Sequence, residues 1–235
     1  MRSWARVYNN LTEISHLLFS YSVTEVSKIE GEDFEKLAEQ LYGLFGGQTG
    51  RRDATNILRN AQLLSQTPDF YAYLLNVRAF IHDSIEDASA SELTAGTALF
   101  IGSSGLNKKA KIKQTLHQTK LHGMGPVLAS EFLRNMGWSG FKPDRHIIRL
   151  LSKWYNESER EAIIGNRLEK FEATFGTLRK DDECFLRFSI LGEMLTPQGE
   201  EVNAADQLVW LYGSLLRKKA FDVPFCDELY PSGIE

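Results

Sequence analysis

Hydrophobic residues recur along most of this chain at the three- and four-residue intervals of an amphipathic α-helix. In the segment 33–45, apolar and aromatic positions form one helical stripe, and Asp33 stands where a helix cap is expected. The pattern returns in five further segments: 70–83, 127–136, 145–155, 160–175 and 205–219. The alternation typical of strands occurs only in short pieces, at 21–26 and 221–225. The pattern therefore predicts an all-α fold built from short and medium-length helices.

Glycine-rich loops punctuate the helical pattern, but no linker rich in proline or serine divides the chain. The weakest point is the stretch 137–143, "GWSGFKP", where two glycines and a proline interrupt two helices. We predict two helical lobes flanking a cleft. The first comprises residues 29–140 and ends in a hairpin at 121–126; the second comprises residues 1–28 together with 141–235.

Composition is that of a soluble globular protein, with 43% hydrophobic and 25% charged residues among 235. There is no apolar run of the roughly 18 residues that a membrane span requires, and no signal-like start, so we expect no membrane partner and an intracellular location in the cytoplasm or nucleoid. The two cysteines, Cys184 and Cys226, stand alone, which excludes a disulfide framework and a four-cysteine metal or iron–sulfur site. A monomer is the default expectation.

Charge is distributed unevenly, although the net charge is only −4. Between residues 107 and 153 there are ten basic and two acidic residues, a local net charge of +8 that leaves −12 for the rest of the chain. A basic segment within an otherwise acidic chain indicates a polyanionic partner such as nucleic acid. The alternative is a solvated helix face without a partner.

The stretch "HGMGPV", residues 122–127, has the composition of a tight hairpin between helices. Gly123 can take the left-handed conformation that closes a helix predicted to end near Lys120, and Gly125 lets the chain reverse before Pro126 opens the next helix. Such a hairpin points backbone N–H groups outward, where they bind phosphate, and the carbonyls of Leu121 and Gly123 form a candidate site for Na⁺ or K⁺. A plain turn is the alternative.

The stretch "KPDRHI" places Asp144 immediately before an amphipathic helix. Aspartate in this position is a good N-cap, and capping alone would explain it. A cap also keeps the carboxylate ionised and fixed in direction, which suits the stabilisation of a positive charge that develops on a sugar. Cap and catalyst are therefore compatible roles for Asp144.

The segment "LHGMGPVLASEFLRNMGW", followed by a glycine, a proline and Asp144, resembles the helix-hairpin-helix DNA glycosylases that carry a Gly/Pro…Asp motif. This family includes the endonuclease III, adenine-mismatch, alkylpurine and oxoguanine enzymes. The strong resemblance covers about thirty residues, and weaker likeness extends to 34–50 and 205–218. It implies base-excision repair: a damaged or modified base is flipped out of double-stranded DNA and its N-glycosidic bond is hydrolysed.

The resemblance assigns roles to particular residues of this chain. Asp144 would be the catalytic carboxylate, and Gln48 would fill the gap left by the flipped nucleotide, unless it is only a polar residue in a glycine-rich turn. A flipped base also needs an aromatic pocket, for which we select Trp138 and Phe141 beside Asp144; a place in the core is the alternative for both. The remaining DNA contacts that we infer come from the hairpin and its surroundings: Lys120, Gly123, Met124, Gly125, Val127, Lys142 and His146. The five histidines lack the paired helical spacing of a zinc site, so no catalytic metal and no cofactor is expected.

Val127 stands where bifunctional members of the family have a lysine that attacks the sugar. The resemblance therefore favours a monofunctional enzyme, which leaves an abasic site without cutting the strand. Two alternatives stay open: a bifunctional glycosylase and lyase with a relocated lysine, for which Lys120 and Lys142 are near enough in sequence, and a DNA-binding module without catalysis. The sequence does not specify the base; alkylated purines are slightly preferred because they leave readily, and oxidised purines are the alternative.

Overall fold

The computed structural model describes residues 4–47, 49–67 and 69–217. Within these residues every regular element is helical, so the predicted all-α fold is confirmed. The α-helices are α1 (Trp4–Asn9), α2 (Leu11–Leu17), α3 (Val23–Val26), α4 (Gly31–Phe45), α5 (Gly50–Ser65), α6 (Phe70–Ser84), α7 (Ala90–Gly102), α8 (Lys111–Thr115), α9 (Pro126–Asn135), α10 (Arg145–Trp154), α11 (Glu157–Ile164), α12 (Arg167–Phe175), α13 (Lys180–Met194) and α14 (Val202–Arg217), with a 3₁₀ helix at Phe19–Tyr21. No helix in the described part of the chain is both long and apolar enough to cross a membrane.

The described residues form two compact units that differ from the predicted lobes. The first unit runs to Leu75 and includes Leu121–Gly123, and the second contains Asn76–Lys120 and the chain from Met124 onward. The prediction grouped residues 1–28 with the C-terminal half. In the structure they instead share a hydrophobic core with α4 and α5, which consists of Ile14, Leu18, Val26, Leu37, Ala38, Leu41, Ala54, Leu58 and Ala61.

In helix α4, the spacing of the apolar residues places them in the core of the first unit. It begins at Gly31, with Glu30 in the N-cap position, so Asp33 lies in the first turn and is not the cap that the sequence suggested. Its buried residues Leu37 and Ala38 lie four and three residues before the third, Leu41, which places all three on one face of the helix. An acidic residue in the first turn still favours the helix, because it lies near the positive end of the helix dipole.

Helix α7 is the centre of the second unit and is buried from Ser91 to Gly102. Ser89 and Glu92 form a capping box at its start, in which each side chain accepts the other residue's backbone N–H. At its other end, a Cβ on Gly102 would lie only 2.8 Å from the backbone of Pro126. The absence of a side chain at Gly102 therefore allows α7 to approach the first turn of α9, which follows the hairpin.

Gly102→Ala is expected to lower the free energy of unfolding by about 1–3 kcal/mol, because backbone at the start of α9 must move to admit the methyl group. Gly43→Ala is the matched control. Gly43 lies within α4, and a Cβ there would meet nothing within 4 Å. That substitution should raise the free energy of unfolding by about 0.5–1 kcal/mol through helix propensity. Urea denaturation of the two variants measures both changes, and a loss at Gly43 as large as that at Gly102 would contradict this explanation.

Candidate active site

Asp144 is the N-cap of α10, as the sequence predicted. Its Oδ1 atom accepts hydrogen bonds from the backbone N–H groups of His146, at 2.8 Å, and Ile147, at 3.2 Å. These are two of the N–H groups that a helix start leaves without a partner in the helix. The half-buried carboxylate is thus fixed at the positive end of a helix whose other face is buried through Ile147, Leu150 and Leu151.

The second oxygen of Asp144 contacts Trp210 of α14. The indole Nε1–H donates to Oδ2 of Asp144 at 2.9 Å. The ring of Trp210 also lies edge-on to the imidazole of His146, with ring centroids 6.2 Å apart. Asp144 and His146, both predicted site residues, are therefore brought together, and they share Trp210 as an aromatic neighbour.

Lys142, predicted to contact DNA, is held inside an ionic network. Its Nζ atom lies 2.9 Å from Oε2 of Glu131, and its backbone N–H donates to Oδ1 of Asp206 at 2.7 Å. Oδ2 of Asp206 pairs with the guanidinium of Arg134 at 2.7 Å. Burial raises the pKa of the Asp206 carboxyl, although the charge of Arg134 opposes that shift. Arg134 and Lys142, which belong to the basic stretch, therefore have their charges balanced within the protein.

The first half of the hairpin lies against two asparagines of α5, one of which binds it by hydrogen bonds. Asn60 donates from Nδ2 to the carbonyl of His122 at 3.0 Å and accepts the His122 N–H at 2.6 Å. Gly123 has φ +71°, the left-handed conformation that the sequence predicted. A Cβ there would also lie too close to Nδ2 of Asn56, one turn before Asn60, so that side chain would have to move. Neither asparagine was predicted to support the hairpin, because no local feature of the sequence marks them.

The second half of the hairpin leads directly into α9. Gly125 is the N-cap, in an extended conformation with no side-chain hydrogen bond, and Pro126 opens the helix as predicted. Gly125 is exposed, and a Cβ on it would meet nothing within 4 Å. Met124 is half-buried and its carbonyl accepts a hydrogen bond from the Lys120 amine at 2.6 Å. Val127 lies half-buried in the first turn of α9.

Lys120 lies beside the hairpin in a partly desolvated position. Burial lowers the pKa of its amine, and the negative charge of Asp182 acts in the opposite direction. The carboxylate of Asp182 is itself buried and accepts a hydrogen bond from the Ser103 hydroxyl at 2.6 Å. Lys120 is thus chemically unlike the exposed lysines at 108 and 109.

The helix before the hairpin ends earlier than predicted. The sequence suggested a helix running to about Lys120, but α8 stops at Thr115 and Leu116 is extended. The side chain of Gln118 donates to the carbonyls of Phe100, at 2.5 Å, and Ser103, at 2.9 Å, at the end of α7. Those carbonyls have no partner within α7, so Gln118 satisfies them as part of a non-helical segment.

Trp138 and Phe141, predicted to line a base pocket, are both core residues in this structure. Phe141 is 2% exposed and packs with Ile147, Leu151, Phe188 and Leu191. Trp138 is 6% exposed, and the guanidinium of Arg78 lies 5.2 Å from the centroid of its ring. Each ring would have to leave these contacts before it could stack on a base.

Two other predictions concern bound ions and Gln48, the residue predicted to fill the gap left by a flipped nucleotide. Gln48 lies outside the described residues. Among the residues that are described, no group of three histidine, cysteine, aspartate or glutamate side chains is placed to hold a metal ion. A monovalent cation at the carbonyls of Leu121 and Gly123 stays a prediction.

A charged cavity of about 590 Å³ lies elsewhere in the second unit, between α11 and α13. One of its three basic lining residues, Arg187, is paired with Glu183 at 2.8 Å and also with Glu161. Burial raises the pKa of the Cys184 thiol in its wall, so that thiol is a poor nucleophile. The groups that line this cavity are therefore weaker candidates for a catalytic residue than the carboxylate of Asp144.

No family model, no curated protein and no solved structure matches this chain. The candidate residues are therefore described from the second unit alone: the start of α9, which has no side-chain cap, and the carboxylate of Asp144, which accepts three N–H groups.

Proposed function

We propose that this protein is a monofunctional DNA glycosylase of the helix-hairpin-helix type with Asp144 as its catalytic carboxylate. The observation that carries the proposal is the fixation of Asp144, whose two oxygens accept three hydrogen bonds at the start of α10. A carboxylate held by this many donors keeps one direction, as stabilisation of a developing cation requires.

In the proposed reaction the damaged base leaves with the electron pair of its N-glycosidic bond, and the sugar acquires positive charge at C1′. Asp144 stabilises that charge, and water then adds to C1′ and loses a proton to the Asp144 carboxylate. A carboxylate has about four acceptor positions, and three are used within the protein, so one lone pair of Oδ2 is left for sugar or water. The product is an abasic site in an uncut strand.

The start of α9 supports a role in holding the DNA backbone. Gly125 is exposed and lacks a side chain, and the first-turn N–H groups of Val127 and Leu128 receive no side-chain cap. An anionic phosphate oxygen suits such a helix start, because the donors and the helix dipole both favour negative charge. The preceding exposed lysines, Lys108, Lys109 and Lys111, would add charge contacts to a second part of the backbone.

Affinity for duplex DNA is expected to fall steeply as salt increases. In the double variant Lys108→Gln/Lys109→Gln, the slope of log K against log salt concentration should become shallower by about 0.9 for each phosphate that the protein no longer neutralises. Lys36→Gln is the control, since Lys36 is exposed but lies in α4, outside the basic stretch. Fluorescence anisotropy at several salt concentrations measures the slopes. Equal slopes for wild type and the double variant would remove these lysines from the interface.

The proposal is tested with a panel of duplexes that each carry one modified base, including alkylated and oxidised purines. We expect release of one class of free base, detected by mass spectrometry, and abasic sites that break only after alkali treatment. Binding to such duplexes without release of any base would instead support the non-catalytic DNA-binding module.

A second candidate function is a bifunctional glycosylase and lyase that uses Lys120. The feature that favours it is the position of Lys120, whose half-buried amine donates to the carbonyl of Met124 in the hairpin at 2.6 Å. Burial also lowers the pKa of this amine, and a neutral amine is the form that attacks an aldehyde-like sugar. Lys142 is less suited, because its ammonium is paired with Glu131. Borohydride reduction during the reaction separates the two functions. A covalent adduct that Lys120→Arg abolishes and Lys142→Arg retains would establish the lyase and overturn the monofunctional proposal.

A further inference from the structure

Three polar side chains of α14 lie on one face of that helix. They belong to Asn203, Asp206 and Trp210, which are three and four residues apart. Each of them forms a hydrogen bond with the segment 138–144, which connects α9 to α10 and contains no helix. None of their contacts with this segment was predicted from the sequence.

The contacts fall on every second residue of the connecting segment. Asn203 donates to the carbonyl of Trp138 at 3.1 Å and accepts the N–H of Gly140 at 2.9 Å. Further along the segment, Asp206 accepts the N–H of Lys142 at 2.7 Å, and Trp210 donates to the Asp144 carboxylate at 2.9 Å.

These contacts hold a segment that contains neither helix nor strand in a single path that ends at Asp144. At that end the backbone N–H of Asp144 donates to the carbonyl of Lys142 at 2.8 Å, so the chain turns tightly at Pro143.

We infer that this face of α14 positions the carboxylate of Asp144, and that Trp210 is the positioning residue that fixes its orientation. The α10 N–H groups hold only Oδ1, which leaves rotation about the bond between Cβ and the carboxyl group. The indole N–H of Trp210 removes that freedom by holding Oδ2. The effect on a reaction rests on the proposed function, whereas the positioning itself can be measured without it.

Trp210→Phe keeps an aromatic ring and removes the N–H. We expect the single-turnover rate of base release to fall by about 10- to 100-fold, since small misplacements of a reacting group have effects of this size, while affinity for the same duplex is unchanged. Trp154→Phe is the matched control. Trp154 is 39% exposed against 40% for Trp210, and its ring packs on Tyr212. Its substitution should change neither quantity. A wild-type rate in Trp210→Phe would overturn the inference.

The second measurement uses the indole N–H resonances in a proton–nitrogen NMR spectrum, with Trp210→Phe and Trp154→Phe providing the assignments. Asp144→Ser retains a good helix cap but is too short to reach the indole. We expect it to move the Trp210 resonance upfield and to leave that of Trp154 in place. An unmoved Trp210 resonance would overturn the inference even if the enzyme is active. If wild type releases no base from any lesion, the proposed function fails, and the spectra still decide whether Trp210 holds Asp144.

Discussion

Asp144→Asn is expected to slow base release by about a hundred- to ten-thousandfold, the range typical for loss of a group that acts on protons or charge in the transition state. The amide oxygen can still accept the N–H groups of His146 and Ile147, so the cap survives. The free energy of unfolding should therefore fall by less than about 1 kcal/mol. The amide is neutral, however, and its NH₂ group would face the indole N–H of Trp210, so both the charge and one hydrogen bond are lost.

Asp69→Asn provides the matched control for this prediction. Oδ1 of Asp69 accepts the N–H of Ala72 at 2.9 Å at the start of α6, so the same substitution is made at another helix start. Single-turnover kinetics and duplex binding are measured for both variants. We expect loss of rate without loss of affinity for Asp144→Asn, and wild-type behaviour for Asp69→Asn. Substantial base release by Asp144→Asn would assign the carboxylate to helix capping alone.

Arg134→Met is expected to lower the free energy of unfolding by about 3–5 kcal/mol at neutral pH, because it leaves a buried carboxylate without its counter-charge. The side chains of Arg134 and Asp206 are 8% and 2% exposed. Arg51→Met is the matched control: Arg51 pairs with Glu39 at 2.6 Å, but both side chains are well exposed. An exposed pair contributes about 0–1 kcal/mol, so this control should unfold almost as wild type does.

The effect of Arg134→Met should also depend on pH in a defined direction. Burial raises the pKa of Asp206 above its unfolded value, so the folded state favours the neutral acid, and stability from this group is lost as pH rises through the folded pKa. Removing Arg134 takes away an interaction that opposes this rise. The stability deficit of Arg134→Met should therefore be smallest in acid and grow toward neutral pH. Chemical denaturation across that range measures it, and adding Asp206→Asn should remove most of the pH dependence. A deficit independent of pH would contradict the role given to Asp206.

Local chemistry explains the parts of the fold and site that the sequence predicted correctly. The helical period, the left-handed Gly123, Pro126 at the start of a helix and the cap at Asp144 each depend on residues within one or two turns. Where a local signal was overlooked, the prediction failed: residues 160–175 were taken as one pattern, but Gly165, with φ +55°, separates α11 from α12.

The supports of the site could not be predicted, because they are distant in sequence. Trp210 lies 66 residues from Asp144, and Asp206 lies 64 residues from Lys142. A polar residue on a helix surface carries no local mark of the backbone group that it will bind. For the same reason the aromatic residues nearest in sequence to Asp144 were assigned to a base pocket, whereas Phe141 and Trp138 belong to the core.

The central claim is that Asp144 stabilises positive charge on a sugar, and it can be tested without knowing which base is removed. A duplex with a pyrrolidine in place of one sugar carries a positive charge where the transition state does, whereas a tetrahydrofuran abasic duplex has a similar shape and no charge. Wild type should bind the charged analogue at least about tenfold more tightly, and Asp144→Asn should abolish the preference, as expected for a group complementary to the transition state. Equal affinity of wild type for the two duplexes would contradict the claim.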